Sequence, residues 1–502
     1  MRMSKPLMPA LIGIVALGAA AATPEVPEYV VRFDAATERA DVRLCLARAH
    51  EHVEFAPDSP RGVRFLHDAH RASPLQLDAS GSPWRAKNWR AGECLSYSAD
   101  IGAIADQHAD DGTRFGRTIL TDPQHWLLRA DVQGDAGASA SIELPPDWSV
   151  SAPWREVARD DRNTRFHIPD TPSDWSATLA VGHLQEQRIE LAGGALRVAF
   201  LFEADTMQRE KLLEWLRRVG GALLTAYGRM PLVDVQVTLV SIDDTSLPFR
   251  FAAFLQPAAV LGGESARGQG NGLQLVIDPS RKPQEFAEDW TAIHELSHLT
   301  HPYLGDRGSW LAEGLATYYQ NVLRARGGLL SEKQAWERLA SGFARGAQSS
   351  SRRTLEEAAS DMSKSHEFLR VYWAGAAYWL TVDRDLRRAS SGALNLESVL
   401  SRFRDCCLPA YRQWKPEDFV ARLDALADVT TFSSRYREFA AMRQFPDWEA
   451  VYRDLGIRDG GEHLAFDGDA RDAAIREGIM APRKGVQGAS PENALSPPQG
   501  RN

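Results

Sequence analysis

His294-Glu295-Leu296-Ser297-His298, followed by Trp310-Leu311-Ala312-Glu313-Gly314-Leu315-Ala316-Thr317-Tyr318-Tyr319, is the stretch whose reading decides the fold. Residues four apart on an α-helix project from one face, one turn apart, so His294 and His298 can reach a single ion. At about 100° per residue, Ala292, Ile293, Leu296 and Leu299 fall on the other side, which separates a core face from a histidine face. With 13 histidines in 502 residues, this five-residue pattern is weak evidence alone. The next helix supplies the context. Pro302 ends the first helix, and a second helical pattern starts near Trp310, with Leu311, Leu315, Tyr318 and Val322 as its apolar stripe. Glu313 points the other way, near Ala316, Thr317 and Gln320, whose small members let two helices approach. A carboxylate from a neighbouring helix gives two histidines the third protein ligand for one Zn2+, with a fourth position left open. Glu295 is rotated about 100° from His294, which suits it to take a proton from water and pass it to a leaving amine. These parts together predict attack on a peptide bond.

Working outward, the segment from Tyr29 to about Trp154 alternates in short runs such as Tyr29-Val30-Val31-Arg32-Phe33, cut by Pro, Gly, Asp and Ser, and predicts a β-sandwich. Residues 155 to 175 are polar and proline-punctuated and predict a connection. Mixed α/β structure follows: a strand at Leu196 to Phe202, an amphipathic helix around Gln208 to Tyr227 and a strand from Asp234 to Ile242. A glycine-rich passage, Gly262 to Gly272, leads into an apolar strand at Leu273 to Ile277. It has no Gly-Lys-Ser/Thr ending and is not a phosphate loop. Helices run from about Glu285 to Leu455. The expected organisation is multidomain α+β: a signal peptide at 1–22, an N-terminal β-sandwich at 23–175, an α/β zinc catalytic domain at 176–327, a helical domain at 328–457, and a polar, disordered tail at 458–502.

The hydrophobic share of 44% with 25% charged residues is that of globular domains, and the net charge of -9, with no block of Lys and Arg, argues against nucleic acid as a partner. The expected partner is a peptide or protein substrate; no feature of the sequence fixes an oligomeric state. The start MRMSK, the apolar stretch Leu7 to Ala16 and the small residues before Pro24 have the layout of a cleaved signal peptide, so export to the periplasm or outside the cell is expected. No later stretch is long and apolar enough to span a membrane. Cys45 and Cys94 lie in strand-like surroundings and form either one structural bridge or two buried thiols, while a bond between the adjacent Cys406 and Cys407 is uncommon.

In these residues the sequence resembles the gluzincin metallopeptidases, and most closely the glycyl aminopeptidase family. The motif at His294 to His298, the segment from Trp310 to Tyr319, Tyr372-Trp373-Ala374-Gly375 and Leu144-Pro145-Pro146-Asp147-Trp148 occur in that family's order. The resemblance implies a thermolysin-like catalytic domain between a β-rich domain and a helical one, with His294, His298 and Glu313 as zinc ligands and Glu295 as base. From its own surroundings Tyr372 reads as core packing near the start of a helix running toward Arg388; the resemblance implies instead an oxyanion donor. Related aminopeptidases carry a glycine-led motif whose glutamate captures the substrate amine. Gly262-Gly263-Glu264 is similar to it in outline, which makes Gly263 and Glu264 substrate-binding candidates beside the plainer reading as a flexible loop. The 14 residues between His298 and Glu313 are fewer than such proteins usually have. A different class stays open, a catalytically silent binding or scaffold protein on the same fold.

Overall fold

A computed structural model of the chain describes residues 26–482 apart from 72–76, 79–82, 108–111, 133–135, 243–257, 268–269 and 350. The expected signal peptide and the last 20 residues of the tail lie outside the described residues.

The N-terminal region is β-rich. A seven-stranded sheet runs, edge to edge, Arg155–Arg159, Asn163–Ile168, Ala138–Glu143, Glu28–Asp34, Arg39–Cys45, Cys94–Asp100 and Leu66–Arg71. Its strands alternate buried and exposed positions, as in Glu28–Asp34, where Tyr29, Val31 and Phe33 point inward. Those residues share one core with Phe55, Trp84 and Trp89 of a second, four-stranded sheet, and the buried hydroxyls find carbonyls, Tyr29 donating to Leu128 and Tyr97 to Trp126. Cys45 faces Cys94 across neighbouring strands and is bonded to it, which settles that pair as a bridge. Cys406 and Cys407 are also bonded, at the last turn of the helix Leu396–Cys407, a pairing of neighbours that is uncommon.

Two boundaries are corrected. The polar segment after residue 155 is no connection but two strands of the large sheet; Arg155–Arg159 is a solvent-facing edge, so burial imposes no hydrophobic alternation on it. Leu179–Gly182 pairs with Thr118–Thr121 in a third sheet, so the N-terminal sheets extend past residue 175. That third sheet packs on the next region through Phe115, Ala180 and Leu184 against Ala199, Leu201 and Val240.

The central region holds a five-stranded sheet in the order Gln185–Leu191, Gly194–Phe200, Asp234–Ser241, Gly272–Ile277 and Val260–Ala266. The middle three strands are parallel and the outer two antiparallel to their neighbours. Such parallel pairs need a crossover, here the helix Thr206–Tyr227, begun by an Asp205/Gln208 capping box and ended by Gly228 in the left-handed conformation. The buried Arg197 fastens this sheet to the N-terminal region: it pairs with Asp234 and Glu186 and donates to the carbonyls of Ala152 and Trp154.

Helices follow. The motif helix, Thr291–Ser297, lies under the edge strand Val260–Ala266; the ligand helix, Ser309–Arg326, crosses the tyrosine helix, Phe368–Ala389. The expected disordered tail is corrected as far as residue 482. Ile457–Asp459 and Leu464–Phe466 form a hairpin, and the helix Ala473–Met480 buries Ile479 and Met480, with Arg326 Nε donating to the Ile479 carbonyl at 2.6 Å. Among the described residues no helix is long and apolar enough to cross a membrane.

Candidate metal centre and cleft

The motif helix is buried along its whole length, His294 and Glu295 included, as is His298 at its end. Asp289 caps it by accepting the Thr291 amide at 2.7 Å and the Ala292 amide at 3.4 Å. His298 follows in a turn of 3-10 geometry, after which the chain leaves the helix toward Pro302.

The ligand and tyrosine helices meet where neither has a side chain. A Cβ on Gly375 would lie 1.9 Å from the Trp310 carbonyl oxygen, and one on Gly314 would lie 2.4 Å from the Gly375 backbone. Only glycine at both positions permits this approach. The neighbouring Glu313 and Tyr372 are thereby carried to the motif histidines, and the Tyr372 ring stacks on His294 at 6.1 Å between centroids.

His294, His298 and Glu313 bring one ligand atom each to within 4.8 Å of one another. Glu313 Oε2 lies 3.2 Å from His294 Nε2 and 3.6 Å from His298 Nε2. Ligand atoms about 2.0–2.2 Å from a tetrahedral ion stand about 3.3–3.6 Å apart, so the spacing fits one Zn2+. Each imidazole is also held by its other nitrogen. His294 Nδ1 donates to Gln320 Oε1 at 2.8 Å, which leaves Nε2 as the lone-pair donor. His301 Nδ1 donates to the Pro302 carbonyl at 2.8 Å, so its Nε2 can accept from His298 Nδ1 at 3.2 Å. Burial, with the Arg267 charge beside it, pushes the His301 imidazole well below its usual range and keeps it neutral for that task. Arg267 donates to the carbonyls of His298 and His301 and clamps the end of the motif.

The charges agree with a metal site. Burial opposes ionisation of Glu313, yet the two imidazoles outweigh it and hold the carboxyl well below its usual range. Burial raises the Glu295 carboxyl, partly opposed by His294 and His298 and assisted by Glu313 and Glu264. Burial also raises the Tyr372 phenol, with the Glu313 carboxylate beside it, so it stays protonated and can only donate its proton as a hydrogen bond at neutral pH.

A cleft of about 1160 Å³ opens over these residues, between the edge strand, the ligand helix, the helix Glu332–Ala347 and the start of the tyrosine helix. Gly263 and Glu264 line it, on the edge strand rather than in a loop. A Cβ on Gly263 would meet Glu295 Cγ at 2.7 Å, so glycine there lets the strand lie against the motif helix. All seven residues singled out from the sequence line this one cleft. Sequence reasoning missed His301 and Arg267 and saw Gln320 only as a neighbour of Glu313; the signal for Gln320 was its place on the Glu313 face, two turns on.

A triad of two buried histidines and a half-buried glutamate, with the motif on one helix and the carboxylate on the next behind an α/β sheet, defines a gluzincin-type zinc metallopeptidase domain. Residues 294–384 match the model of the M61 glycyl aminopeptidase family. Solved structures share the fold: an aminopeptidase N family protein from Idiomarina loihiensis is 14% identical, with 86% of this chain and 78% of that chain aligned at a TM-score of 0.61. An M1 zinc metallopeptidase from Deinococcus radiodurans is 14% identical, with 84% of this chain and 95% of that chain aligned at 0.51. A mutant of the latter bound to a Tyr-Ser-Ala substrate aligns over the same shares, at 14% identity and a TM-score of 0.50. Among curated proteins none matches the chain in sequence.

Proposed function

We propose that the protein is an exported zinc-dependent aminopeptidase. The observation that carries this reading is Glu264. It stands on the edge strand, exposed at the cleft that holds the zinc triad, close enough for its charge to act on Glu295. A carboxylate there meets the free amine of a peptide whose first peptide bond lies over the triad. His294, His298 and Glu313 would hold the ion. When bound, zinc polarises a carbonyl and lowers the pKa of a bound water to about 7. Glu295 takes the proton of the attacking water, holds it in a buried site that favours the protonated acid, and returns it to the leaving amine. The Tyr372 hydroxyl donates to the oxyanion that develops on the scissile carbonyl. Export rests on the charged start and the apolar stretch from Leu7 to Ala16.

The test compares peptides with free and acetylated amino termini in wild type and Glu264→Ala. Wild type is expected to cleave free-amine peptides from their first bond, and Glu264→Ala to lose that preference by at least about 10-fold in kcat/KM. Equal cleavage of both peptide classes by wild type would reject the aminopeptidase reading.

A further inference from the structure

Along the same cleft lie three arginines that the zinc chemistry does not use. Arg324 is on the ligand helix, on the face of Glu313, Thr317 and Gln320; Arg338 and Arg345 are on the helix Glu332–Ala347, and all three line the cleft. Arg324 is 1% exposed and its Nη2 donates to the Glu288 carbonyl at 2.6 Å, but its Nε and Nη1 have no partner among the described residues. An unpaired buried guanidinium nitrogen is costly, and arginine's planar fork is suited to a carboxylate. Burial and the Arg338 charge together press on Arg324, pushing it down to about 10. Arg338 is exposed and makes no ion pair among the described residues. Arg345 donates to Ser341 Oγ at 2.7 Å and lies over Trp373. Asp289 lies near Arg324 and, with Glu288, partly offsets the downward push on it, but it makes no ion pair with Arg324: its Oδ1 accepts the Thr291 and Ala292 amides and its Oδ2 the Thr291 hydroxyl.

The cleft is therefore polarised. Gly263 sits against Thr291 and Glu295 while Arg267 reaches His298 and His301, so the edge strand runs alongside the motif helix, with Glu264 placed toward that helix's C-terminal end. Arg324, bonded to Glu288, lies ahead of its N-terminus. Glu264 and Glu295 thus lie beside the triad, while Arg324 and Arg338 stand at the opposite end, where Asp289 caps the motif helix and Glu337 is bonded to His463. From Glu313 to Arg324 the ligand helix rises about 16 Å, a distance that an extended chain of about five residues spans.

We infer that Arg324 and Arg338 form a subsite for a carboxylate on the leaving side of the substrate, which selects short peptides by their C-terminus or longer ones by an acidic side chain. The inference rests on the peptide reading of the cleft, and binding tests it apart from turnover. Zinc-loaded Glu295→Gln protein is titrated by calorimetry with hexa-alanine as free acid, with its C-terminal amide, and with the amide of Ala-Ala-Ala-Ala-Asp-Ala. The free acid is expected to bind about 10- to 100-fold more tightly than the plain amide. In Arg338→Ala that ratio falls toward one while the plain amide binds unchanged. Arg324→Gln, checked for an unaltered melting profile, is expected to do the same. Recovery of tight binding by the aspartyl amide identifies the side chain as an accepted source; tight binding by the free acid alone identifies the C-terminus. Equal affinity for all three, or a ratio that survives both substitutions, overturns the subsite. Loss of turnover in wild type with the ratio intact would instead overturn the aminopeptidase reading alone.

Discussion

Substituting Gly375 by alanine tests how the site is assembled. The added Cβ would lie 1.9 Å from the Trp310 carbonyl oxygen, where ordinary contact begins at 3.4 Å, so the two helices must part locally by about 1.5 Å. No flexible side chain can yield, because the obstacle is backbone on both sides: Gly314 Cα is 2.8 Å from the same Cβ. Forcing such a contact costs about 1–3 kcal/mol in a packed interior. Parting these helices moves Tyr372, three residues before Gly375, away from His294, and moves Glu313 relative to both histidines. A displacement of about 1 Å at reacting groups can cost about 100-fold in rate. The assays are kcat/KM on a free-amine peptide, thermal unfolding, and zinc affinity by competition with a chelator. Gly375→Ala is expected to lose about 100-fold in kcat/KM and to melt several degrees lower. Wild-type activity and melting temperature in Gly375→Ala would show that the glycine contact does not position the site.

Gln320→Leu removes the acceptor of His294 Nδ1, and its zinc affinity is expected to fall by about 10- to 100-fold in a chelator competition; unchanged affinity would mean that the hydrogen bond does not orient the ligand. Gly263→Ala pushes a methyl group against Glu295 and is expected to lower kcat by about 10-fold or more with zinc content retained, so loss of zinc would place the damage elsewhere. Gly221, within the helix Thr206–Tyr227, has nothing within 4 Å of its would-be Cβ. Gly221→Ala is therefore expected to stabilise the protein by up to about 1 kcal/mol in denaturant unfolding without altering turnover.

The zinc triad was legible in the sequence because helical spacing alone puts His294 and His298 on one face, and the apolar stripe on the opposite side of its own helix singles out Glu313. The groups that orient the ligands were not. His301 reaches His298 only because the chain leaves the helix at that point, and Arg267 arrives from the end of an edge strand far away in sequence. Neither relation has a period to read. Arg324 illustrates the same limit: its burial follows from the packing of three helices, and in sequence it is one more arginine near a helix end. The strand Asn163–Ile168 carried a usable signal, the inward alternation of Thr164, Phe166 and Ile168, which the surrounding polar residues masked. The helix Ala473–Met480 is short and gains its order from burial of Ile479 and Met480 against the protein, a tertiary effect that composition does not announce.

The central claim is that His294, His298 and Glu313 hold one zinc ion beside a glutamate base. It is tested most directly by measuring bound zinc per chain together with peptide turnover in wild type, Glu313→Ala and Glu295→Gln. The predicted result is one zinc per chain in wild type and Glu295→Gln, little in Glu313→Ala, and turnover in wild type alone. Full turnover by Glu295→Gln, or undiminished zinc in Glu313→Ala, would contradict it.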